Sequence, residues 1–284
     1  MSDWPYGIST GCFYQTRIKD ILPVVKDGGF TTIEVCSFPA HLDYHDTALV
    51  TEAAAIMRDL GIQANSFHAP FAPHIDIASL DSNQRQASVS ELKIACDAAR
   101  AMDSRYIVLH PGPEREGKPP PEEWYHRMRQ AADSLNEVAV HCREAGLILL
   151  LENMLPHLMF GHTSEMLFLL GAIRETNVGT CLDTGHAFLS RDLRTVVHKL
   201  SGHLKMLHVN DNRGGWDDHL PPGKGLIDWE SLIRQLRHWK FHGTLILELS
   251  DRIGPPEAIM EQAREARAFL TELQARVALE EPVA

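Results

Sequence analysis

Acidic and imidazole side chains recur in this sequence at one kind of place, the end of a short apolar run. In chain order they are His68 in NSFHAP, His110 in VLHPG, Glu152 in LLEN, Asp183 and His186 in CLDTGH, His208 in LHVND and Glu248 in ILELS. The segment DNRGGWDDHLPPGKG adds Asp217, Asp218 and His219. Taken singly, each has an ordinary reading, since a histidine ending a strand is more often a hydrogen-bonded core residue than a ligand. Glu152 and Glu248 resist that reading, because a buried carboxylate is costly unless it is paired, protonated or bound to metal. Asp183 follows the same logic, although through its DTG turn it can also cap the next helix. Carboxylates gathered at one place repel one another, and divalent cations offset that repulsion. A divalent-metal site is therefore expected.

The donor types point in two directions. Glu152, Asp183, His208 and Glu248 make an oxygen-rich set suited to Mn²⁺, Mg²⁺ or Co²⁺. Adding His68, His110, His186, Asp217 and His219 makes the neighbourhood richer in nitrogen. That favours Zn²⁺ and supplies enough donors for more than one ion.

These residues converge only if the elements carrying them form one mouth. Short apolar runs at 6–9, 32–35, 63–68, 106–110, 147–152, 178–183, 204–209 and 244–249 read as strands. Helical periodicity fills 18–27, 47–60, 84–102, 122–145, 164–174, 192–200, 229–239 and 257–279. Runs such as YIVLH and LILLLE are almost continuously apolar, as parallel strands covered by helices are. Gly61, Gly146 and Gly243 stand between a helix and the next strand, where a left-handed cap is wanted. Eight β-then-α units predict a single (β/α)₈ TIM barrel over 1–284, with the donor residues at the C-terminal strand ends. A doubly wound open sheet is disfavoured, because STGCFYQ after the first strand has no G-x-G-x-x-G.

The formal net charge is −11, which repels phosphate backbones. The predicted mouth loops carry Arg115, Lys118, Arg213 and Lys224 against Asp43, Asp46, Asp76, Glu114, Glu116, Asp211, Asp217 and Asp218. That balance weighs against nucleic acid and suits a small neutral substrate. Of the nearby aromatics Phe13, Phe38, Phe67, Phe71, Trp124 and Trp216, the last shares a loop with candidate ligands and is the best candidate for a substrate wall. Phe67, next to His68, should face the helices instead. Glu34 on the second strand reads equally as a substrate contact or a structural ion pair. Five widely spaced cysteines without C-x-x-C suit a reducing compartment. No signal peptide and no membrane span are expected, so the reading is cytoplasmic. Oligomeric state is left open, a homo-oligomer included.

The ordered series of motifs resembles the xylose isomerase-like TIM-barrel superfamily over essentially the whole chain. That group contains sugar phosphate isomerases and epimerases, keto-sugar dehydratases and AP endonucleases of the endonuclease IV type. Resemblance to tagatose and psicose epimerases implies one ion on Glu152, Asp183, His208 and Glu248. It makes the two glutamates the proton-exchanging pair and His186 and Arg213 substrate contacts. The second glutamate often found in those epimerases is missing from ENMLPHLMFG. Resemblance to endonuclease IV implies a trinuclear zinc cluster on His68, His110, Glu152, Asp183, His186, His208, Asp217, His219 and Glu248. The glycine-rich segment that follows the glutamate in those enzymes is absent.

The expected function is therefore a metal-dependent sugar isomerase or epimerase, or a related dehydratase or lyase. It would abstract a proton next to the carbonyl of a sugar or keto-sugar through a metal-stabilised enediolate, with Glu152 and Glu248 as acid and base. In a mononuclear site, His68 and His110 would contact substrate together with His186, Arg213 and Trp216. The alternative is a zinc phosphodiesterase acting on abasic DNA.

Overall fold

The computed structural model describes residues 4–114 and 117–280. Arg115 and Glu116, counted above among the mouth charges, lie outside the described residues. Eight strands alternate with helices: β1 Tyr6–Ser9, β2 Thr32–Cys36, β3 Gln63–His68, β4 Tyr106–Leu109, β5 Ile148–Glu152, β6 Val178–Asp183, β7 Leu204–Val209 and β8 Thr244–Leu247. The helices are α1 Ile18–Asp27, α2 Thr47–Leu60, α3 Ser82–Ala101, α4 Pro121–Ala145, α5 Thr163–Ala172, α6 Thr184–Leu189, α7 Leu193–Leu200, α8 Trp229–His238 and α9 Pro256–Glu280. Every strand pairs in parallel with the next, and β8 pairs with β1, so the sheet closes into a (β/α)₈ barrel. No described helix is long and apolar enough to cross a membrane.

Closure follows from two apolar surfaces on each strand. Outward residues such as Ile33, Phe67, Ile107, Leu149 and Leu207 pack against the helix ring. Inward residues Tyr106, Val108, Leu150, Cys181, Met206 and Ile246 fill the lower lumen. Side chains alternate with a period of two, so the residue two positions beyond an inward one also faces inward. Val108 leads in this way to His110, Leu150 to Glu152, Cys181 to Asp183, Met206 to His208 and Ile246 to Glu248. The donors at the mouth thus continue the apolar plug beneath them.

Three local features depart from expectation. The helix α6 was not expected: it begins directly at the end of β6, and Asp183 caps it by accepting the His186 N–H at 2.7 Å. Gly61 (φ 63°) and Gly146 (φ 78°) are left-handed caps, but Gly243 is not. The positive φ after α8 falls on Lys240 (53°), and Gly243 is required because a Cβ there would collide with the Lys205 carbonyl and the Phe241 ring. Finally, β4 and β8 stop short of His110 and Glu248, which lie just past the paired segments.

Candidate metal centre

The C-terminal strand ends bring the donor residues together. Register sets Asp183 beside His208 and Cys36 beside His68. Glu152 lies at the centre, buried at 1% exposure. Its Oε2 is 3.2 Å from His68 Nε2 and 3.3 Å from His110 Nε2. Its Oε1 is 3.1 Å from His208 Nδ1, which is also 3.2 Å from Glu248 Oε2. Across the mouth, Asp217 Oδ2 lies 3.2 Å from His186 Nε2 and 3.1 Å from His219 Nε2. Three groups able to hold a metal ion result: His68/Glu152/His208, Glu152/Asp183/His208/Glu248 and His186/Asp217/His219. Within each, the donor atoms lie within 4.8 Å of one another.

The outer nitrogen of each ring has a fixed partner. A carbonyl only accepts, so the ring nitrogen facing it carries the proton. His68 Nδ1 donates to Ala69 O at 2.9 Å, His186 Nδ1 to Asn153 O at 2.8 Å and His219 Nδ1 to Glu248 O at 3.1 Å. His110 Nδ1 donates to Glu114 at 2.7 Å, and His208 Nε2 to Glu34 at 3.0 Å. All five rings therefore turn their other nitrogen toward the carboxylates, as a metal-binding imidazole does when its far N–H is held. His208 Nδ1 and Asp217 Oδ1 are buried without a hydrogen-bond partner, as atoms reserved for a cation would be. The residues fit a divalent metal.

Without metal, protons balance the carboxylates. Burial works against a charged His110, but Glu152 and then Glu114 raise it to about 10. Burial likewise opposes His219, which the Asp217 hydrogen bond raises to about 10. His68, His186 and His208 are also raised against burial by neighbouring carboxylates, joined at His208 by Cys181. Burial pushes Glu152 up, yet His208 and His110 hold it well below the usual carboxylate range. Glu248 goes the other way, raised chiefly by burial.

The two glutamates treated alike in the sequence occupy different places. Glu248 lines a cavity of about 1130 Å³ together with His68, Asp217 and His219, whereas Glu152 lies behind that lining. Tyr14, Phe38, Phe71 and Trp216 form aromatic wall in this cavity, and Trp216 is 82% exposed at the rim. The Phe71 ring lies 4.8 Å from that of His110, tilted by 35°, while Phe67 packs toward the helices as expected. Arg213 is not brought to the site. It is exposed and absent from the cavity lining, because its loop is pinned by the Arg213 N–H to Asp218.

Four contributors were not assigned from sequence. Glu34 and Glu114 hold histidines from behind. Asn153 brackets the Asp183 backbone with two hydrogen bonds, and Asn210 donates to Asp183 Oδ2 at 2.6 Å. Asn153 and Asn210 do adjoin the motif residues in LLEN and LHVND, which was the available signal.

Comparison with known proteins agrees with the barrel fold. An uncharacterized protein of Methanocaldococcus jannaschii is 26% identical over 273 residues, 91% of this chain and 89% of that one. A probable endonuclease 4 of Mycobacterium leprae is 32% identical over 181 residues, 60% of this chain and 67% of that one. The crystal structure of a D-tagatose 3-epimerase-like protein superposes with a TM-score of 0.85 at 20% identity, over 97% of this chain and 99% of that one. The profile of the family described as xylose isomerase-like TIM barrel matches residues 22–273, and the chain belongs to that family.

Proposed function

We propose that this protein is a divalent-metal-dependent enzyme that moves a proton next to the carbonyl of a small polyhydroxy compound, as sugar isomerases, epimerases and keto-sugar dehydratases do. One observation carries the reading: the Glu152/Asp183/His208/Glu248 group opens through Glu248 onto an aromatic-walled cavity with Arg252 as the only arginine or lysine in its described lining. Asp217, Asp218, Glu248 and Asp251 share that lining, a balance hostile to a polyanion and tolerant of a neutral polyol. The epimerase-like neighbour supports the same substrate class. The five free cysteines suit a reducing compartment, and we place the protein in the cytoplasm on that ground.

A cation held by Glu152, Asp183, His208 and Glu248 would supply Lewis-acid stabilisation of charge developing on substrate oxygens. The oxygen-rich group suits Mn²⁺, Mg²⁺ or Co²⁺, and the histidine-rich groups suit Zn²⁺. Glu248 is the proton carrier, since its side chain is 20% exposed and reaches the cavity. Glu152 is given to the metal, because both its oxygens face imidazoles. With only one glutamate of the metal group on the cavity, removal and return of a proton on the same face, or loss of a β-hydroxyl, suits the site better than exchange between two glutamates on opposite faces. Trp216, Phe38 and Phe71 would hold the apolar side of the substrate.

The test is metal-dependent incorporation of solvent deuterium into a panel of aldoses, ketoses and keto-inositols. Exchange that disappears in Glu248→Gln while metal stays bound is the expected result. Cleavage of abasic DNA with no exchange into any sugar would refute the proposal.

A second reading, zinc-cluster phosphodiester hydrolysis, has its own observation. His68 and His110 share one oxygen of Glu152, and His186, Asp217 and His219 form a separate group, so there are donors for three ions. Elemental analysis above one zinc per chain, with phosphodiesterase activity, would favour it.

A further inference from the structure

We infer that Glu34 is a positioning residue that fixes which nitrogen of His208 faces the metal group. The inference rests on the metal-binding reading above. Glu34 is fully buried and does not line the cavity, so it cannot touch a substrate there. It lies on β2, across the lumen from β7, and accepts from His208 Nε2 at 3.0 Å. Ser66 donates to the same Oε2 at 2.9 Å, and Ser9 donates to Oε1 at 3.2 Å.

These three donors come from fixed positions in the sheet. Ser9 pairs with Glu34, and Glu34 pairs with Ser66, on adjacent strands. The β2–β3 register slips between Ile33 and Glu34, leaving Asn65 of β3 without a partner on β2. That slip keeps Ser66, and His68 two residues later, on the inside of the barrel. The carboxylate is thus held from two sides before His208 reaches it.

His208 differs from the other four rings in orientation. They hold their Nδ1–H outward and present Nε2, while His208 holds Nε2–H outward and presents Nδ1. Three of those four use backbone carbonyls. The outer nitrogen of His208 points instead into the barrel lumen, where strand carbonyls are turned along the sheet to neighbouring strands. A side-chain acceptor is required there, and Glu34 is that acceptor. A carboxylate can only accept from Nε2, so in the neutral, metal-binding ring the proton stays on Nε2 and the Nδ1 lone pair is turned to the side of Glu152 and Glu248. A glutamine could instead turn its NH₂ toward Nε2, which would move the ring proton to Nδ1 and block it as a donor.

The experiment combines zinc affinity, by chelator competition, with long-range ¹H–¹⁵N NMR of histidine-labelled protein. The His208 signal is assigned by its absence in His208→Gln. In zinc-loaded wild type, His208 is expected to carry its proton on Nε2. Glu34→Gln is expected to weaken zinc binding by roughly 10- to 100-fold, with the apo unfolding midpoint measured alongside to separate this from a folding defect. Unchanged affinity in Glu34→Gln would overturn the positioning role while leaving the metal reading intact. Wild type that takes up no zinc would overturn both. If Glu34→Gln does not fold, the wild-type spectrum decides: a proton on Nδ1 of zinc-loaded His208 overturns the inference, and one on Nε2 upholds it.

Discussion

Zinc binding is expected to expel more protons than an ordinary histidine site would. His110 and His219 titrate at about 10 without metal, so both are charged at neutral pH. Neutral pH lies about three units below that, and at about 1.4 kcal/mol per unit each ring costs about 4 kcal/mol to strip. His68, His186 and His208 are raised as well, so filling every group at pH 7, with His110 joining His68 on the shared Glu152 oxygen, should release between two and five protons per chain. Five histidines at the usual value of about 6.5 would together release only about one proton at that pH. Titration calorimetry in buffers of different ionisation enthalpy counts the protons directly. A count of one or fewer at saturation would refute the charged apo cluster. The sign for stability follows from the same values. A raised imidazole stabilises the fold fully below its unfolded value, about 6.5, and that contribution is lost as pH rises through about 10. The apo protein should therefore lose stability from pH 7 to 10, and zinc affinity should increase over the same range.

Other outcomes test the surrounding architecture. Asp211 is fully buried and accepts from Asn212 N, Gly223 N, Ile227 N and Trp229 Nε1 at 2.8–3.0 Å, tying down the loop that carries Asp217 and His219. Asp211→Asn turns one oxygen into a donor and strands two N–H groups, an expected cost of about 2–4 kcal/mol in urea unfolding; a loss below about 1 kcal/mol would contradict this role. Trp216→Ala should leave stability within about 0.5 kcal/mol, because the ring is exposed. In steady-state kinetics it should raise KM several-fold with kcat little changed, and an unchanged KM would remove Trp216 from the substrate wall. Cys96 and Cys142, buried with Sγ atoms 3.4 Å apart and with the Cys142 hydrogen bond and then burial raising the Cys96 thiol, should resist disulfide reagents in the native protein and react only on unfolding. Rapid labelling of the native protein would contradict that packing.

The barrel was legible because its signals are local. Apolar runs of strand length, helical periodicity between them and the absence of a phosphate-binding turn specify eight βα units without knowledge of any long-range contact. The donors were legible for the same reason. A period of two carries Leu150 to Glu152 and Met206 to His208, so a charged residue ending an apolar run had to emerge at the mouth. Arg213 looked equivalent to its neighbours in DNRG, but its direction depends on the fold of an irregular loop, which has no period to read. The difference between Glu152 and Glu248 was likewise hidden, since both end similar runs. Only closure of the barrel places three imidazoles around Glu152 and leaves Glu248 on the cavity. Glu34 lies 174 residues from His208 in sequence, and the sequence left its role undivided between substrate and ion pair. The sequence by itself determined which strand-end residues would reach the mouth. Tertiary structure decided which nitrogen, oxygen or proton each one presents there, because that depends on partners brought in from strands on the far side of the barrel.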